Sequence, residues 1–66
     1  MKLDSTRVRV LMAQLGITHT ELAERAGITR QTLSAVMHGK SCTPRTVGKI
    51  AVAAGVEVAD IVKEVG

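Results

Sequence analysis

Apolar residues along the chain recur at three- and four-residue intervals and never alternate, the spacing of amphipathic helices rather than strands. Val8, Leu11, Met12 and Leu15 form one stripe. Leu22, Ala23 and Ala26 form a second, and Leu33, Val36 and Met37 a third. Val47, Ile50, Ala51 and Ala54 give a fourth, and Val58, Ile61, Val62 and Val65 a fifth. Residues between the stripes carry the boundary chemistry. Asp4 or Ser5 can cap the first helix, and Gly16 can end it in the left-handed conformation that costs glycine little. Thr18-His19-Thr20-Glu21 has the form of a capping box, with Ile17 and Leu22 at staple spacing. Gly27 closes the second helix, Thr29 caps the third, and Gly39 stops it. Thr43-Pro44 opens the fourth, where the missing proline amide hydrogen does no harm. Gly48 weakens that helix by roughly 1 kcal/mol relative to alanine, and Gly55 ends it. The expectation is one all-α domain over residues 1–66, with helices at about 5–15, 19–26, 30–38, 44–54 and 58–64.

Two of these helices stand apart. Residues 19–26 and 30–38 are joined only by Gly27-Ile28-Thr29. A turn this short, containing glycine, holds two helices steeply crossed, as in a helix-turn-helix.

Composition narrows the picture. Sixty-six residues make one domain near the lower limit for a single core. The chain is 45% hydrophobic but has no Phe, Tyr or Trp, so Val, Leu, Ile, Ala and Met must tile that core. Cys42 is the only cysteine, which excludes an internal disulfide. A lone thiol fits a reducing cytoplasm and reads otherwise as an incidental loop residue. Met1-Lys2-Leu3-Asp4 runs into Arg7 and Arg9 without the apolar stretch of an export signal. The longest apolar run, residues 50–56, is far too short to span a membrane. A cytoplasmic protein with no membrane partner is expected.

The net charge of +3 says less than its placement. Arg25, Arg30, Lys40, Arg45 and Lys49 fall in residues 25–49, where there is no acid. Residues 50–66 carry Glu57, Asp60 and Glu64 against Lys63. A basic middle third is what a polyanion-binding face requires. With Leu33, Val36 and Met37 turned inward, the third helix offers Arg30, Gln31, Ser34, Ala35 and His38 outward. Arg30 can give paired hydrogen bonds to guanine, Gln31 can pair with adenine, and Ala35 can touch a thymine methyl.

The chain resembles the lambda-repressor-like family of helix-turn-helix domains, of the Cro and phage-repressor type. The resemblance is carried by residues 16–23 (GITHTELA), 26–33 (AGITRQTL), 38–40 (HGK), 46–51 (TVGKIA) and Gly55-Val56, and covers about residues 8–64. It implies a compact five-helix domain, usually a homodimer, that sets its third helix in the major groove of double-stranded DNA and regulates transcription, here as a repressor. It further implies phosphate contacts from Thr18, His19, Thr29 and His38 on one side, and from Lys40, Ser41, Thr43 and Arg45 on the other. His19 stands where the family usually has a glutamine on the DNA backbone, and it gains charge only in mild acid. Ala35 stands where the family often has a longer polar reader, which shifts base contact toward the start of the helix. The family often pairs a base in the first helix with a glutamate in the third. Met12 and Met37 occupy both positions, exchanging a desolvated ion pair for apolar packing, so Met12 is expected to pack on Met37. The fifth helix often forms the dimer seam, which implicates Ile61, Val62 and Val65. Two-fold copies would then address half-sites about 34 Å apart.

An enzyme is not expected. Cys42, His19 and His38 have no metal-ligand or catalytic spacing, and no cofactor, metal or small-molecule ligand is called for. The rival reading is a protein-interaction module of the same fold, such as the antitoxin of a toxin–antitoxin pair.

Overall fold

The computed structural model describes residues 1–63. Its elements, in order, are strand β1 (Lys2–Leu3), helices α1 (Ser5–Leu15), α2 (His19–Ala26), α3 (Arg30–Met37) and α4 (Pro44–Ala54), a single 3₁₀ turn (Val58–Asp60) and strand β2 (Val62–Lys63). The four helices begin where the polar caps stand. The Asp4 carboxylate accepts the Arg7 amide. The Thr18, Thr29 and Thr43 hydroxyls accept the amides of Glu21, Thr32 and Thr46. Each such cap stabilises its helix by about 1 kcal/mol. Gly27 ends α2 at φ 70°, and the Ile28 amide then bonds the Ala23 carbonyl. This left-handed residue makes the three-residue turn between α2 and α3 possible.

The helices enclose one core. Leu22, Leu33, Ile50, Ile61, Val8 and Val47 are its largest fully buried side chains, drawn from all four helices and the C-terminal segment. Burying each contributes about 1.5–3 kcal/mol. α2 packs on both α3 and α4, which fixes the attitude of α3. Met12 and Met37 are both buried in this core. Among the described residues no polar or charged side chain is buried, so replacing an ion pair at these positions leaves no charge behind.

Among the described residues, 58–63 do not form the fifth helix expected at 58–64. Val58–Asp60 makes one 3₁₀ turn, and Val62–Lys63 pairs antiparallel with the N-terminal segment, Leu3 opposite Val62 and Lys2 opposite Lys63. The Asp4 amide adds a 2.7 Å bond to the Ile61 carbonyl. The reason lies in the side chains. Val56, Val58, Ile61 and Val62 are β-branched, which disfavours a short isolated helix and suits an extended strand. Residues 1–3 supply the partner strand. Ile61, assigned to a dimer seam, is 0% exposed within its own chain and belongs to the core. Val62 is half-buried against that core, and Val65 lies outside the described residues. The third helix also stops one residue sooner than expected, at Met37, with His38 as its cap.

Candidate nucleic-acid interface

α3 spans eight residues, or about 12 Å at 1.5 Å per residue. Its inner face is Leu33, Val36 and Met37, and its outer face carries the exposed Arg30, Gln31 and Ser34. Ala35, expected among these readers, is half-buried. Its methyl lines a groove with Thr32, Lys40 and Ser41, and its carbonyl accepts the Lys40 amide. Arg30, Gln31 and Ser34 are exposed together within the first turn and a half of α3.

Two flanks border this face. On one side, His19, Arg30, Ser34, Met37 and His38 line a groove of about 120 Å³. His19 is the first residue of α2, at the end where helical amides lack intrahelical partners. Thr18, expected to touch phosphate, is engaged in the cap: its hydroxyl accepts the Glu21 amide and lies 3.3 Å from the Glu21 carboxylate, which also accepts the Thr18 amide. His38 is fixed from behind, with Nδ1 2.7 Å from the Ser34 carbonyl.

On the other side, the loop from Gly39 to Thr43 leads into α4. A groove of about 160 Å³ runs here between Thr32, Ala35 and Val36 of α3, the loop residues Lys40 to Thr43, and Thr46. Lys40, Ser41, Thr43 and Arg45 are exposed along this flank. The Thr29 and Thr43 hydroxyls are directed locally, donating to Thr32 Oγ1 at 2.8 Å and Thr46 Oγ1 at 3.1 Å. The charge on this flank thus comes from Lys40 in the loop and from Arg45 in the first turn of α4, which Thr43 caps. Of the expected contact residues, His19, Arg30, Ser34 and His38 line one groove and Ala35, Lys40, Ser41 and Thr43 the other; Ile61, expected at a dimer seam, is interior.

A support for the loop escaped sequence reasoning. The Cys42 amide donates to the Met1 carbonyl at 2.7 Å, and the Met1 amino group donates to the Cys42 carbonyl at 3.2 Å. The Cys42 thiol is buried and lies 3.4 Å from the same Met1 oxygen. Burial raises its pKa, and the charge of the Met1 amino group lowers it by less. The N-terminal segment thereby ties the loop after α3 to the strand β2 through backbone atoms. Such bonds leave no mark on residue type; the isolated apolar Leu3, between Lys2 and Asp4, was the only hint.

The charges match the geometry. Arg25, Arg30, Lys40, Arg45 and Lys49 are all exposed, and no acid interrupts residues 25–49. Among the described residues, no helix is long and apolar enough to cross a membrane. The exposed face of α3 thus follows α2 across a three-residue turn opened by the left-handed Gly27. The family model of the Cro/C1-type HTH DNA-binding domain matches residues 7–65. The chain belongs to the family of Cro/C1-type HTH DNA-binding domains.

Proposed function

We propose that this protein is a sequence-specific transcriptional repressor that lays α3 in the major groove of double-stranded DNA. The observation that carries this reading is the free outer face of α3, with Arg30, Gln31 and Ser34 exposed between two basic or hydrogen-bonding flanks. Arg30 reads guanine through O6 and N7, Gln31 reads adenine through N6 and N7, and Ser34 bonds either base edge. Ala35 keeps enough surface for a thymine methyl at the edge of the footprint. His19 and His38 hold phosphates on one side, and Lys40, Ser41 and Arg45 on the other. Phosphate contacts set the register in which base contacts specify. Thr18, Thr29 and Thr43 serve this arrangement by fixing the helix starts.

Occluding a promoter demands nothing beyond tight binding, so repression is the simplest regulatory outcome of this face. A homodimer completes the reading. Two copies about a two-fold axis present two α3 helices to half-sites about 34 Å apart. Val62 remains partly exposed for such a seam, while Ile61 is taken up by the core. Selection of genomic fragments with the purified protein, followed by sequencing, tests the whole reading. Enrichment of a palindromic motif supports it, and recovery of no preferred sequence with no salt-sensitive binding refutes it.

A further inference from the structure

His19 and His38 are far apart in sequence, yet they line one groove with Arg30, Ser34 and Met37 beside the reading face of α3. His19 opens α2, Arg30 opens α3, and His38 follows its last residue. All three are exposed. The His38 ring is oriented by its 2.7 Å contact with the Ser34 carbonyl. A carbonyl oxygen can only accept, so Nδ1 carries the hydrogen and Nε2 is left as the free ring nitrogen. Neutral, that nitrogen presents a lone pair, which repels a phosphate oxygen. Protonated, it presents a charged donor. The other groups facing the groove are Arg30, permanently cationic, the neutral Ser34 and the apolar Met37. Glu21, on the first turn of α2, is turned back onto the Thr18 amide and hydroxyl.

We propose that this groove is a proton-linked phosphate site, in which His19 and His38 take up protons as a DNA backbone phosphate binds. The inference rests on the DNA-binding reading and adds a dependence to it. A bound phosphate favours the charged imidazole, as an anion within about 4–6 Å does. Arg30 supplies its fixed charge whether its guanidinium lies on a base or on the phosphate. The bound state therefore holds more protons than the free state, and affinity rises as pH falls. At contact distance in a partly exposed site, each histidine carries a factor of about ten in affinity.

The test measures the dissociation constant for one fixed duplex by fluorescence anisotropy, at constant ionic strength, from about pH 8 to pH 5.5, the range in which histidine changes charge. Wild type, His19→Gln, His38→Gln and the double variant are compared, with circular dichroism at each pH to follow folding. Wild-type binding tightens by about ten- to a hundredfold toward low pH. Each single variant keeps part of that dependence, and the double variant shows none. Should the glutamine at 38 lower the melting temperature, His38→Asn keeps a side-chain donor for the Ser34 carbonyl. Wild type that binds DNA at pH 8 with no pH dependence overturns the proton-linked site and leaves DNA binding intact. A double variant that retains the full pH dependence overturns it as well. Absence of binding at every pH in low salt overturns both readings.

Discussion

Ile61 offers a sharp test of how this fold is built, because two assignments of it predict different behaviour. The side chain is 0% exposed within one chain and belongs to the core, on the residue that joins the 3₁₀ turn to β2. Truncation to alanine in such a place costs about 2–5 kcal/mol, more where the surroundings cannot relax into the void. Here they are pinned: the Ile61 carbonyl accepts the Asp4 amide at 2.7 Å, and its own amide bonds the Val58 carbonyl at 3.0 Å. Ile61→Ala is therefore expected to lose about 3–4 kcal/mol. A domain of 66 residues holds roughly 3–10 kcal/mol in all, so the variant surrenders a large part of its stability. At 4–8 °C per kcal/mol for this size, the melting temperature falls by about 20 °C. The assay is thermal and urea unfolding by circular dichroism, repeated over about a hundredfold range of protein concentration. A core residue gives a loss that does not change with concentration. A seam residue gives one that changes by mass action, because it acts through dimer formation. A loss below about 1 kcal/mol, or one that appears only at some concentrations, would refute the placement of Ile61 in the core.

Three further outcomes follow from the same geometry. Gln31→Ala is expected to relax sequence preference and lose about 1–3 kcal/mol on the preferred site, whereas Lys40→Ala weakens all duplexes alike and lowers the salt slope by about one; indistinguishable effects in a salt titration would show that the contacts are misassigned. Met12→Lys alone buries an unpaired charge and costs about 3–5 kcal/mol. Adding Met37→Glu should restore part of that if the two positions touch, and strictly additive losses in the double-mutant cycle would rule the contact out. The raised pKa of the Cys42 thiol means that the fold favours its neutral form. This contribution is whole below the thiol's ordinary value of about 8.5 and is lost as pH rises through the higher folded value. Urea unfolding of wild type and Cys42→Ala at neutral and alkaline pH should show the gap between them closing as pH rises, and an unchanged gap contradicts the assignment.

The legible parts of this protein are those whose causes are local. A threonine before a helix, a glycine after it, and apolar residues at three- and four-residue spacing state their own geometry, so α1 to α4 begin and end within a residue of expectation. The outer face of α3 followed from the same periodicity, since turning Leu33, Val36 and Met37 inward leaves Arg30, Gln31 and Ser34 outside. The C-terminal segment misled because its spacing fits a helix while its composition fits a strand. Val58, Ile61 and Val62 satisfy a helical stripe, and what decides between the two is a partner strand some sixty residues away. Long-range backbone pairing cannot be read from side chains. The same holds for the Met1–Cys42 bonds, and for the groove that His19 and His38 share, which follows only from the packing of α2 on α3.

The Thr29 and Thr43 caps and the Met1–Cys42 bonds bear on recognition through the same argument. A side chain can discriminate one base from another only if the backbone that carries it does not shift to accommodate the wrong partner. Thr29 anchors the first turn of α3, which bears Arg30 and Gln31, and Thr43 anchors the first turn of α4, which bears Arg45. The loop between them, with Lys40 and Ser41, is held at Ala35 on one side and at Met1 on the other. Ordering these residues when DNA arrives would cost conformational entropy, about 1–2 kcal/mol for each backbone position fixed. Because the fold has already fixed them, that cost falls on folding and not on binding. A core built without aromatic residues has little stability in reserve, and the short β1–β2 pair matters for that reason: it connects the N-terminal segment that holds the loop after α3 to Ile61, which completes the core. Loosening Leu3 or Ile61 should therefore be felt at Lys40, although neither residue is placed to touch a nucleotide.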